Sequence, residues 1–126
     1  RRSFCANLAL LWTLFGHSMK QKNNIQQFIR QATKKIGEKF HPQKVILFGS
    51  YASGTPRGDS DIDLLIIFSK SGNRARRYTE VSRELEPMPL PVDLLIRSAK
   101  DIQYRLKIGD SFIEEVINKG KVLYEC

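Results

Sequence analysis

Gly49-Ser50 stands ten residues ahead of Asp61-Ile62-Asp63, and the two together could do chemistry on a phosphate. Val45-Ile46-Leu47-Phe48 is a short apolar run that predicts a buried strand, ended by the Gly-Ser pair. A short helical turn opening there points free backbone N–H groups outward, where an anion can sit. Asp61 to Phe68 predicts a second strand. Side chains alternate faces along a strand, so Asp61 and Asp63 project together, and a divalent cation relieves their mutual repulsion. Pro91-Val92-Asp93-Leu94-Leu95-Ile96 predicts a third strand with one acid among apolar neighbours. A charged, unpaired carboxylate there costs several kcal/mol, so Asp93 wants a cation or a hydrogen-bond partner. If its strand lies beside that of Asp61 and Asp63, three carboxylates converge. A phosphate cradle facing such a set is apparatus for phosphoryl or nucleotidyl transfer. Taken singly, Gly-Ser is ordinary turn chemistry and Asp-x-Asp a common solvated strand end; the combination is what carries weight.

The pattern resembles the minimal nucleotidyltransferases, the small branch of the DNA polymerase beta-like superfamily found in MNT–HEPN toxin–antitoxin pairs. Gly49 and Ser50 match that family's Gly-Ser, Asp61 and Asp63 its Asp-x-Asp, and Asp93 its third carboxylate. The resemblance covers roughly residues 22–125 and implies a polymerase beta-like palm, an α/β (α+β) domain with a small mixed sheet flanked by helices. It further implies two Mg²⁺ ions held by Asp61, Asp63 and Asp93, all three also catalytic, with Asp93 the best candidate for general base. A nucleoside triphosphate, ATP by default, would meet Gly49, Ser50 and Arg57. The expected reaction moves AMP to a hydroxyl. The acceptor would be a tyrosine of a HEPN-type helical partner, so that the chain acts as antitoxin. Two rival readings are a steric antitoxin that does no chemistry and a stand-alone transferase for a small molecule or an RNA end.

The positioning elements follow from periodicity. Ile25, Phe28, Ile29, Ala32, Ile36 and Phe40 mark a helix capped by Asn23 or Asn24 and broken at His41-Pro42. Residues 54–60 form a polar loop, 72–86 a charged helix and 99–108 another. Ser111-x-x-Glu114 reads as the capping pattern of a last helix whose stripe is Phe112, Ile113, Val116 and Ile117. Residues 122–124 suit a short closing strand.

With 126 residues the sequence carries one modest core. Its net charge of +8 favours nucleotides, polyanions or an acidic partner, and leaves stable nucleic-acid binding open. Arg74, Arg76 and Arg77 make either a solvated helix face or a docking patch. Cys5 and Cys126 lack metal-ligand spacing, and no structural disulfide is expected, which fits a reducing cytoplasm. Residues 1–18, Arg1-Arg2 and then a largely apolar run, imitate a signal peptide but are too short to span a bilayer. They are read as an extension outside the core fold, with residues 19–126 forming the single domain and no membrane association; the alternative is an extra apolar helix that packs on the domain or mediates association. The extension holds two Arg and no acid, so the domain itself carries +6.

Overall fold

The computed structural model describes residues 6–7, 20–54 and 61–126. The elements are β1 (Ala6–Asn7), α1 (Lys20–Phe40), β2 (Lys44–Phe48), α2 (Ser50–Ser53), β3 (Ile62–Phe68), α3 (Arg74–Leu85), β4 (Val92–Ser98), α4 (Ala99–Lys107), α5 (Ser111–Lys119) and β5 (Lys121–Glu125). The strands form one mixed sheet in the order β1-β5-β2-β3-β4. Every pairing is antiparallel except β3 with β4, which run parallel because α3 carries the chain back across the sheet. The expected α/β architecture is the observed one.

Both faces of the sheet are covered, which is why the central strands are almost continuously apolar. Ile62, Leu64, Ile66 and Phe68 of β3 pack on one face with Ile29, Ala32 and Ile36 of α1 and with Val81 and Leu85 of α3. Leu65 and Ile67 join Ile46 on the other face, against Ile102 of α4 and Ile113 and Val116 of α5. Asp63 belongs by alternation to this second face, so it is the polar break in an otherwise apolar row. Thr33, fully buried in α1, satisfies its hydroxyl by donating to the carbonyl of Ile29 at 2.7 Å.

Several boundaries differ from the sequence reading. Helix α1 begins at Lys20, not after an Asn23 or Asn24 cap, since Lys and Gln extend a helix readily. Strand β3 begins at Ile62, so Asp61 sits just before it. Helix α5 is capped by Asp110, whose carboxylate accepts from the N–H of Ile113 at 3.1 Å, and Ser111 is its first residue. A reciprocal cap between Ser98 and Asp101 opens α4 (3.1 and 3.4 Å).

The amino-terminal segment is not wholly outside the sheet: Ala6–Asn7 pairs antiparallel with Tyr124 and Glu125. That pairing brings the two ends of the chain together, and Cys126 is disulfide-bonded where no disulfide was expected. The cysteines therefore no longer argue for a reducing compartment. The rest of residues 1–18 lies outside the described residues. Among the described residues, no helix is long and apolar enough to cross a membrane.

Candidate active site

Strand pairing assembles the site. Phe48, the last residue of β2, stands opposite Asp63 of β3, and Asp63 stands level with Asp93 of β4. The turn that follows Phe48 is therefore delivered directly to the acidic pair. Gly49 makes that turn with φ 77° and ψ −156°, a conformation open to glycine and strained for other residues. A β-carbon built on it would also collide with Oδ2 of Asp63. Its carbonyl accepts from the N–H groups of Ala52 and Ser53, both at 3.1 Å, closing the single turn of α2. The leading N–H groups of that turn have no acceptor within the helix. Ser50 is the first residue of α2 and half-buried.

Asp63, Asp93, Gly49 and Ser53 line a cavity of about 570 Å³ between the sheet and α5. The Asp63 carboxyl is held above the usual carboxylate range by burial first, then by the charges of Asp93 and Asp61. Asp93 is exposed rather than enclosed by its apolar strand neighbours, and Asp61, also exposed, does not line the cavity. The structure therefore brings Asp63 and Asp93 together and leaves Asp61 at the rim, acting on Asp63 through space. Among the described residues no three His, Cys, Asp or Glu side chains form a ready-made metal cage. The donor set nonetheless suits a hard dication, because a half-buried carboxylate with two acidic neighbours, as Asp63 is, gains from an oxygen-seeking positive charge. Arg57 and the loop 55–60 lie outside the described residues.

Four residues of α5, Phe112, Glu115, Val116 and Lys119, line the cavity and were not foreseen as site residues. Phe112, expected in the core stripe, is 51% exposed and meets Phe48 edge to face (centroids 5.8 Å apart, planes at 80°). Glu115 and Lys119, one turn apart, line the same wall. Their spacing from Phe112 on one helical face was visible in the sequence; which face met the acids was not.

Comparison with known proteins places this arrangement. Residues 30–126 match the family described as Polymerase beta, Nucleotidyltransferase. An inferred protein adenylyltransferase of Methanocaldococcus jannaschii is 33% identical over 96 residues, covering 76% of this chain and 91% of that protein. The protein adenylyltransferase MntA of Thermococcus cleftensis is 29% identical over 83 residues, covering 65% and 83%. Among solved structures, an inferred nucleotidyltransferase from Sulfolobus solfataricus has a TM-score of 0.54 at 23% identity, covering 71% of this chain and 84% of that one. A toxin–antitoxin crystallised with AMP-PNP has a TM-score of 0.56 at 23% identity, covering 76% and 73%. These two structures share the fold. With its acidic pair and glycine turn set where β2, β3 and β4 deliver them, the chain belongs to the polymerase beta nucleotidyltransferase family.

Proposed function

We propose that this nucleotidyltransferase moves AMP from ATP to a tyrosine hydroxyl of a helical HEPN-type toxin partner and thereby acts as its antitoxin. The observation that carries the chemistry is the register of Asp63 beside Asp93, directly under the Gly49 turn. Relatives named as protein adenylyltransferases support the choice of a protein acceptor, and a structural neighbour that is a toxin–antitoxin with AMP-PNP supports the partner and the nucleotide.

In this reading Gly49 lets the backbone approach the triphosphate closely, and Ser50 offers its N–H and hydroxyl. The acceptor oxygen forms a bond to the α-phosphorus as the bond to the β-phosphate oxygen breaks and pyrophosphate leaves. Asp93 takes the hydroxyl proton. Asp61, Asp63 and Asp93 would hold Mg²⁺, which when bound neutralises phosphate charge and lowers the pKa of the acceptor hydroxyl. Arg57 adds positive charge for the phosphates. Phe112, half-exposed at the cavity, gives an aromatic face for the base.

The test is to mix the chain with a HEPN-type helical protein from the same genome, α-labelled ATP and Mg²⁺. Label on a partner tyrosine, with loss of toxicity that requires nucleotide, supports the proposal. Neutralisation without nucleotide supports steric binding instead. Label recovered on RNA or on a small molecule, with none on the partner, identifies a stand-alone transferase.

A further inference from the structure

A second cavity, of about 780 Å³, lies at the opposite end of the β3–β4 pair from the acids. Asp93, Leu95 and Arg97 alternate onto one face of β4, which places Arg97 roughly 13 Å beyond Asp93. Arg97 lines this cavity together with Arg74 and Arg77 from the first turn of α3. Asp101 is the one acid in the lining. It stands 4.0 Å from Arg74, and this weak, exposed pair leaves the cavity with an excess of two positive charges. Among the described residues, neither Arg77 nor Arg97 has a carboxylate within ion-pair distance.

The three guanidiniums come from two elements, Arg74 and Arg77 from α3 and Arg97 from β4. Arg77 lies over the Phe68 ring, 4.2 Å from its centroid. Arg97 is half-buried and donates to the carbonyl of Ile96 at 2.8 Å. Burial, then the charge of Arg74, pulls its guanidinium below the usual arginine range. The two acids that act on Arg97 are engaged elsewhere, Asp101 with Arg74 and the Ser98 N–H and Asp110 with Arg105 and the Ile113 N–H, so the concavity keeps an excess of positive charge that favours an anion. The planar fork of arginine favours a phosphate or carboxylate held by paired hydrogen bonds. At the α3 N-terminus the Asn73 side chain accepts from the N–H of Arg76 at 3.0 Å, which leaves the N–H groups of Arg74 and Ala75 without intrahelical acceptors. Tyr78, 46% exposed, supplies an aromatic wall.

We infer that this cavity is a second anion site, distinct from the acidic one, that takes a phosphate ester of nucleotide size on Arg74, Arg77 and Arg97. A concave space of this volume suits a small ligand, whereas a nucleic-acid chain needs an extended basic track. The site requires no metal ion. That property separates it from the acidic cavity, where carboxylates repel a bare polyphosphate.

The experiment is calorimetric titration of ADP into the full chain in EDTA at low salt, with melting temperature as the check on folding. One saturable ADP per chain is expected, and adenosine gives no heat. Arg97→Ala weakens ADP binding about tenfold or more. So does Arg74→Ala, which changes only an exposed side chain, whereas Asp63→Asn leaves binding intact. Comparable binding of pyrophosphate supports recognition through phosphate alone, and tighter binding of ADP adds a contact from Tyr78. Four results would overturn the inference: no saturable heat, equal affinity in a folded Arg74→Ala/Arg97→Ala double variant, loss of binding in Asp63→Asn, or a short single-stranded RNA that binds the arginines far more tightly than ADP.

Discussion

Gly49 and Asp63 are packed so closely that the glycine has no room for a side chain: a β-carbon would take the place of the Asp63 Oδ2. This contact joins the phosphate turn to the acidic strand, and β2–β3 pairing fixes it by placing Phe48 opposite Asp63. Gly49→Ala has to absorb both the collision and a backbone at φ 77°. It should lower stability by about 1–3 kcal/mol and abolish nucleotide transfer, measured by denaturant unfolding and by label transfer. Wild-type activity in a folded Gly49→Ala protein would separate the turn from the site.

Asp63 makes stability depend on pH in a particular direction. Its carboxyl titrates above the ordinary value of 3.8, so the folded chain holds that proton more tightly than the unfolded chain. The stability this provides is full below the ordinary value and is lost as pH rises through the folded one. Asp63→Asn removes the effect. In metal-free buffer it should melt higher than wild type at neutral pH, with the gap closing toward pH 3.8, while transfer falls roughly 10²–10³-fold. A lower melting temperature at neutral pH would show that the carboxylate stabilises the fold.

Phe112 is a wall of the acidic cavity held by Phe48, not a core residue. Phe112→Ala should raise KM for ATP by about tenfold, an edge contact and some apolar area being worth about 1.4 kcal/mol. kcat should change little. A variant with unchanged KM would remove the ring from the nucleotide site.

Ile66, fully buried in β3, packs on the face shared with α1 and α3, away from the acids. Ile66→Ala should destabilise the chain by about 2–5 kcal/mol through lost transfer energy and a cavity. If enough of the chain stays folded at low temperature, KM for ATP should be unaffected. A specific rise in KM without loss of stability would mean that this face takes part in binding.

Much of the catalytic half was legible because its signals are local. Apolar runs set β2, β3 and β4; alternation put Asp63 on the face of Leu65; the Gly-Ser pair announced its own turn. What stayed hidden depends on contacts across the fold. Phe112 reads as core by helical spacing until α5 is docked, when Phe48 and the cavity leave half of it in solvent. Arg97 looks like the polar end of a strand until α3 sets Arg74 and Arg77 beside it. Neither the pairing of Ala6 with Glu125 nor the disulfide at Cys126 is announced by any spacing in the sequence. Asp110 displaced Ser111 as the cap of α5 because two adjacent residues were each competent to do it.

Calorimetric titration of a non-hydrolysable ATP analogue with Mg²⁺ reports most directly on the acidic site, since it needs no acceptor. To keep the arginine cavity silent, the titration is run in the Arg74→Ala/Arg97→Ala background. Saturable heat that requires Mg²⁺ and disappears in Asp63→Asn and in Asp93→Asn is the expected result. No heat with Mg²⁺, or equal heat after either acid is neutralised, would contradict a carboxylate-centred nucleotidyl-transfer site.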